Sequence, residues 1–302
     1  MNKLQVIIFN WVAPALLSAI GLSVSAQKLP NIQQTGLRAP AEIKIDGKAT
    51  EWDNKFQAYN HATDIFYSLS NDDDNLYLTV QAIDPVVINK IIGGGITLTI
   101  QNSGKKTDKD GMSITYPVFD RKSRPYVHSS QIIGNSVLTV SGGDVTIMPR
   151  TSMEGGRTAA PADPKEFQGD SIMNIYNKRL NSNSKYIGIA GIKGLDSLIS
   201  VYNTNGIKTA ELFDNKIVYT YELAVSLNQL GLSVSSGAKF AYHITINGSS
   251  IFTLPDVAIT TNQTDVTVKT GAPEGGGGLR IAALMGQSAP TDFWGEYVLV
   301  KK

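Results

Sequence analysis

Residues 217–225 read Ile217-Val218-Tyr219-Thr220-Tyr221-Glu222-Leu223-Ala224-Val225, and this run decides the fold class. Ile217, Tyr219, Tyr221, Leu223 and Val225 recur at every second position, set against Val218, Thr220, Glu222 and Ala224. Successive strand side chains point to opposite faces, so a period of two marks a strand with one face in a core, whereas a helix needs a period near 3.6. The same alternation returns in Leu76, Leu78, Val80 and Ala82 against Tyr77, Thr79 and Gln81, and in Ile96, Leu98 and Ile100 against Thr97 and Thr99. It returns again in Phe240, Tyr242, Ile244 and Ile246 against Ala241, His243, Thr245 and Asn247. Shorter runs predict strands over 42–45, 64–69, 136–140, 185–192, 198–202 and 296–300. The phase places Leu78 and Tyr221 in the core and Thr79 toward solvent. The expected fold is an all-β, antiparallel two-sheet sandwich with one to three short connecting helices.

Turn chemistry supports hairpins, because the Asn205-Gly206 and Asn247-Gly248 pairs accept the positive φ of tight turns. Asp84-Pro85, followed by Val86 to Ile92 and closed by Gly93, has the cap, first-turn proline and glycine stop of one short helix. A second helix is expected over 170–180 and a single capped turn over 226–231. Residues 149–169 and 271–278, rich in glycine, proline and small side chains, are expected to be mobile loops.

Lys3, the apolar stretch from Val6 to Leu22 and the small residues Val24-Ser25-Ala26 predict a secretory leader over 1–26. A polar lead-in over 27–41 and a single domain over 42–302 then follow, exported to the periplasm or beyond, with no membrane span once the leader is removed. Lys3 is the leader's one charge and the whole chain carries +1, so the mature chain is neutral. That balance excludes a protein steered by nucleic-acid phosphates. The absence of cysteine excludes disulfides, thiol catalysis and thiolate zinc sites.

Four stretches, in order along the chain, carry a family resemblance: Ile43-x-Ile45-Asp46-Gly47 with Glu51-Trp52; Asn75-Leu76-Tyr77-Leu78-x-Val80 with Asp84; Tyr221-Glu222-x-x-Val225 with Leu230-Gly231-Leu232; and Phe293-Trp294-Gly295-Glu296-Tyr297. This set resembles the family 9 carbohydrate-binding modules and their DOMON-like relatives. Ser200-x-Tyr202-Asn203-x-x-Gly206-Ile207 is also similar to secreted proteins of Bacteroidetes with this layout. The resemblance implies a β-sandwich and a carbohydrate ligand. Members that bind sugar hold it between two exposed tryptophans, because an aromatic face contacts the C–H side of a pyranose. Trp52 and Trp294 fall at positions that are structural in the family and are read as core packing, so a sugar here relies on tyrosines.

Candidate site residues come from loops, where a rigid sandwich concentrates binding groups. Tyr116, Arg121, Arg124, Tyr126 and His128 lie in a segment read as a loop over 108–133, and Tyr with Arg suits a sugar or an anion. A solvated basic loop is the alternative. Asp72, Asp73 and Asp74 offer oxygen ligands suited to calcium, which the resemblance also implies; as a hairpin turn the same tract needs no ion. No other cofactor is expected. Asp46-Gly47 is read as a tight turn in which Asp46 accepts backbone amides. His61, His128 and His243 are too scattered for a paired metal motif, and no Gly-x-Ser-x-Gly elbow is present. The expected protein is a non-catalytic binding module for a glycan or another cell-envelope ligand. A structural or protein-interaction sandwich and an enzyme are the alternatives.

Overall fold

The computed structural model describes residues 28–119, 180–248 and 288–302, the strand segments 129–133, 136–141, 144–149, 257–262 and 265–270, and positions 174, 177, 178 and 286. Two antiparallel sheets make the body. The first has five strands: β1 (Ala58–Asn60), β2 (Ile65–Asn71), β3 (Asn75–Ala82), β12 (Tyr219–Ser226) and β11 (Ile207–Phe213), in the order β1-β2-β3-β12-β11. The second has six: β4 (Ile96–Gln101), β5 (Met112–Val118), β9 (Tyr186–Ala190), β10 (Leu198–Ser200), β13 (Lys239–Ile246) and β16 (Thr291–Val298), in the order β10-β9-β5-β4-β13-β16. β6 (Ser129–Ile133), β7 (Ser136–Ser141) and β8 (Asp144–Pro149) form a separate three-stranded ladder, and β14 (Val257–Asn262) with β15 (Asp265–Thr270) a two-stranded one.

The period-two runs bury the faces they predict except at Ile217, which lies in the turn before β12 at φ +65° and is 44% exposed. Leu76, Leu78 and Val80 of β3 and Tyr219, Tyr221, Leu223 and Val225 of β12 meet Ile96, Leu98 and Ile100 of β4 and Tyr242 and Ile244 of β13 in one core. A polar relay crosses that core: the Gln33 amide donates to the Tyr67 hydroxyl at 2.9 Å, which shares a hydrogen at 3.0 Å with the Tyr242 hydroxyl of the opposite sheet. Tyr242 fits because it faces Gly295 across the ladder; a Cβ on Gly295 would lie 2.1 Å from the Tyr242 ring.

Helix α1 (Pro85–Gly94) packs against β3, β5 and β13 through Ile88, Ile91 and Ile92, and the Asp84 carboxylate caps it by accepting from the Val86 and Val87 amides. Residues 180–183 are also helical.

Four expectations are corrected. Residues 42–45 pair with no strand; Ile43 and Ile45 alternate inward because the segment lies over the outer face of the five-stranded sheet. Residues 108–133, expected as a loop, contain β5 and β6, because Ile114 and Tyr116 supply buried faces that a Ser/Thr-rich context masks. Thr79 does point away from the core, yet it is only 2% exposed because that same outer face is covered. β1, β8, β11, β14 and β15 also go beyond the predicted set. The leader and the expected loops over 150–169 and 271–278 lie outside the described residues.

Candidate functional site

Register builds a surface on the outer face of the five-stranded sheet. Tyr59 of β1 pairs with Phe66 of β2, Phe66 with Gln81 of β3, and Gln81 with Thr220 of β12, so one lateral row runs ring, ring, amide, hydroxyl. The Tyr59 and Phe66 rings are 4.6 Å apart at 38°. His61 meets Tyr59 edge-on at 4.7 Å, and the Tyr59 hydroxyl donates to Asp64, which fixes the outer end of the row. Phe56 comes from the preceding turn and sits 6.0 Å from Phe66.

The Phe56 and Phe66 rings border an open groove of about 580 Å³. Phe56 and Phe66 supply its aromatic surface, Gln57, Gln81 and Asn54 its amides, and Lys55 its cation. Leu29 and Ile83 complete the apolar lining, with Ile83 54% exposed. The volume falls within the range of small-ligand sites, about 300–1,000 Å³. Flat apolar rings beside amides that both donate and accept suit a ligand with a C–H face and a hydroxyl edge.

The residues singled out from the sequence do not converge here. Tyr116, expected on a loop, is a core residue of β5, 3% exposed, with its ring 6.0 Å from that of Tyr221; this corrects the loop reading. Arg121, Arg124, Tyr126 and His128 lie outside the described residues. Asp72, Asp73 and Asp74 form the β2–β3 turn. Burial opposes ionisation of Asp72, yet hydrogen bonds from the Tyr77 hydroxyl and the Asp74 and Asn75 amides outweigh it and hold the carboxyl below its usual range. Asp73 takes a 2.8 Å bond from Arg38 instead. Among the described residues no three His, Asp or Glu side chains group in a way that could hold a metal ion.

A second cluster lies on the outer face of the six-stranded sheet. His243 and Trp294 are cross-strand partners whose rings stack at 4.2 Å and 11°. Asp108 meets His243 Nδ1 at 2.8 Å and Asp292 meets Nε2 at 3.0 Å. Both ring nitrogens are thus engaged by carboxylates. The core reading of the tryptophans is corrected as well. Trp294 is half-buried on this outer face, while Trp52 packs over the other sheet against Tyr77 and Ala224.

The groove's aromatics escaped the sequence reading although one signal was present. In β2, Ile65, Tyr67 and Leu69 point inward, so Phe66 is an aromatic at an outward position. Phe56 and Tyr59 carried no such signal, since β1 is only three residues long.

No family model matches the chain, and no curated protein does. Among solved structures it is similar to a family 9 carbohydrate-binding module from Caldicellulosiruptor kristjanssonii in complex with glucose. That likeness has 10% identity over 88% of this chain and 95% of the other, with a TM-score of 0.32.

Proposed function

We propose that the chain is an exported, non-catalytic binding module that holds a carbohydrate in the groove bordered by Phe56, Phe66, Gln57 and Gln81. The observation that carries this reading is the in-register pair Phe66–Gln81 opening, with Phe56, onto that groove. Its rings match the C–H face of a sugar, and its amides match the hydroxyl edge. The leader motif supports export.

Calorimetry against a panel of neutral mono- and oligosaccharides and cell-wall glycans tests the proposal. At least one member binds, and Phe66→Ala weakens it tenfold or more, equivalent to about 1.4 kcal/mol, while the melting temperature moves little. No heat across the panel would sink the reading.

A structural or protein-interaction role is the second reading. It is favoured by an exposed patch on β9, β10 and the following turn, where Tyr202 is 76%, Tyr186 50% and Leu198 48% exposed. Co-purification of a protein partner that Tyr202→Ser abolishes, with no sugar bound, selects it.

A further inference from the structure

One wall of the groove is not sheet. Asn54, Lys55, Phe56 and Gln57 belong to a segment that crosses the outer face of the five-stranded sheet and is fastened at two ends. At the far end, Glu222 Oε2 accepts the Asp46 amide at 3.0 Å and the Gly47 amide at 2.9 Å. At the groove end, the Gln57 amide donates to the Tyr67 carbonyl at 3.2 Å and to Ser68 Oγ at 3.0 Å. Between them a tight 3-10 turn over Thr50–Trp52 runs into the groove residues: the Asn54 amide donates to the Ala49 carbonyl and the Lys55 amide to the Trp52 carbonyl.

We propose that residues 46–57 form a strap that shapes the groove, and that the buried Glu222 carboxyl is the positioning residue that holds it shut and so sets ligand occupancy. This rests on the reading of the groove as a carbohydrate site.

Three features beyond the two hydrogen bonds support a fastening that can release. Glu222 is fully buried, yet its Oε1 has no partner among the described residues, and neither has the indole N–H of the strap's own Trp52. Gly47 sits so close to β11 that a Cβ on it would lie 2.7 Å from Leu212 Cβ, so the contact at this end is tight only while the strap is down. The strap also brings its own negative charge. Burial pushes the Glu222 carboxyl up to about 7, outweighing the Gly47 and Asp46 amides that favour its ionised form, and the negative charges of Asp46 and Glu51 add to the rise. Other charged or titratable groups on this face include Lys48, 3.9 Å from Asp46; Lys55, 3.6 Å from Asp53; Tyr77 of β3, bonded to Asp72; Lys208 of β11, paired with Ala224; and, at the far edge, Tyr59 with Asp64 and His61. Lifting the strap returns the carboxyl to water, where its ordinary value is 4.5, so deprotonation favours the open strap.

Amide hydrogen exchange on the full chain tests this with or without a ligand. In the parent, protection of the Asp46 and Gly47 amides falls about tenfold between pH 6 and pH 8 after correction for intrinsic exchange. In Glu222→Gln, which keeps an acceptor but cannot ionise, it stays level. Glu222→Leu loses protection of these two amides at both pH values while core amides of β12 keep theirs. For any sugar that binds the parent, affinity follows the strap: kept in Glu222→Gln and at least tenfold weaker in Glu222→Leu. The same pH profile in parent and Glu222→Gln overturns the proposal, as does full strap protection in Glu222→Leu. If no sugar binds, the carbohydrate reading fails, and the exchange data still decide whether Glu222 holds the strap.

Discussion

Glu211 and Glu222 lie on adjacent strands and opposite faces of one sheet, since Glu222 pairs with Ala210 while Glu211 pairs with Tyr221. Glu211 projects into the core, where its Oε2 accepts from the Tyr219 hydroxyl and its Oε1, like the Tyr221 hydroxyl and Thr209 Oγ1, has no partner among the described residues. Burial pushes Glu211 up to about 7, above the ordinary 4.5. Between those two values the folded chain holds a proton that the unfolded chain has released, so stability falls as pH rises from 4.5 to 7 and levels off above. For Glu211 the loss is roughly 3 kcal/mol, from ~1.4 kcal/mol per unit. Thermal melts should show lower stability at pH 7.5 than at pH 5, and Glu211→Gln should flatten much of that slope; an unchanged slope would place the titration elsewhere. Side-chain phase was legible for Leu78 and Tyr221 but not for Thr79. Alternation tells which face a residue takes, and only tertiary packing tells whether that face is covered.

At the scale of elements, helix α1 and the strap are held by local chemistry of different legibility. The Asp84 cap was readable because an N-cap acts within three residues, and Asp84→Ala should cost about 1 kcal/mol in a denaturant titration. Gly47 combines φ +81° with the close approach to Leu212, so Gly47→Ala should cost roughly 1–3 kcal/mol. That cost should appear first as faster exchange in the strap, with the core strands following only on global unfolding. Asp46-Gly47 was read as a turn, and the Lys48 amide does donate to Asp46 Oδ1 at 3.1 Å. The carboxyl that receives the Gly47 amide lies 175 positions away, beyond any local pattern.

For the whole molecule, stability rests on the interlayer core and its tyrosine relay. Leu78→Ala and Tyr221→Ala should each cost about 2–5 kcal/mol by leaving cavities between the sheets. Tyr242→Phe removes one hydroxyl of the relay but leaves Tyr67 its bond from Gln33, so about 1 kcal/mol is expected. Comparable melting shifts for Tyr242→Phe and Tyr221→Ala would show that the layers are joined by the relay more than by packing.

The long alternating strands β3, β4, β12 and β13, the all-β class, the α1 cap and the Asp46-Gly47 turn were determined by sequence alone, because alternation, capping and turn preference act over a few residues. Tertiary structure decided what those patterns cannot carry. It placed Tyr116 in the core, brought His243 between Asp108 and Asp292, and set Phe56, Phe66 and Gln81 around one groove. It also joined two parts of the family-like signature, Asp46-Gly47 and Glu222, into a single hydrogen-bonded fastening. The physical reason is that a binding surface is made of side chains from different strands, and strand order and register are set by global burial rather than by any stretch of sequence.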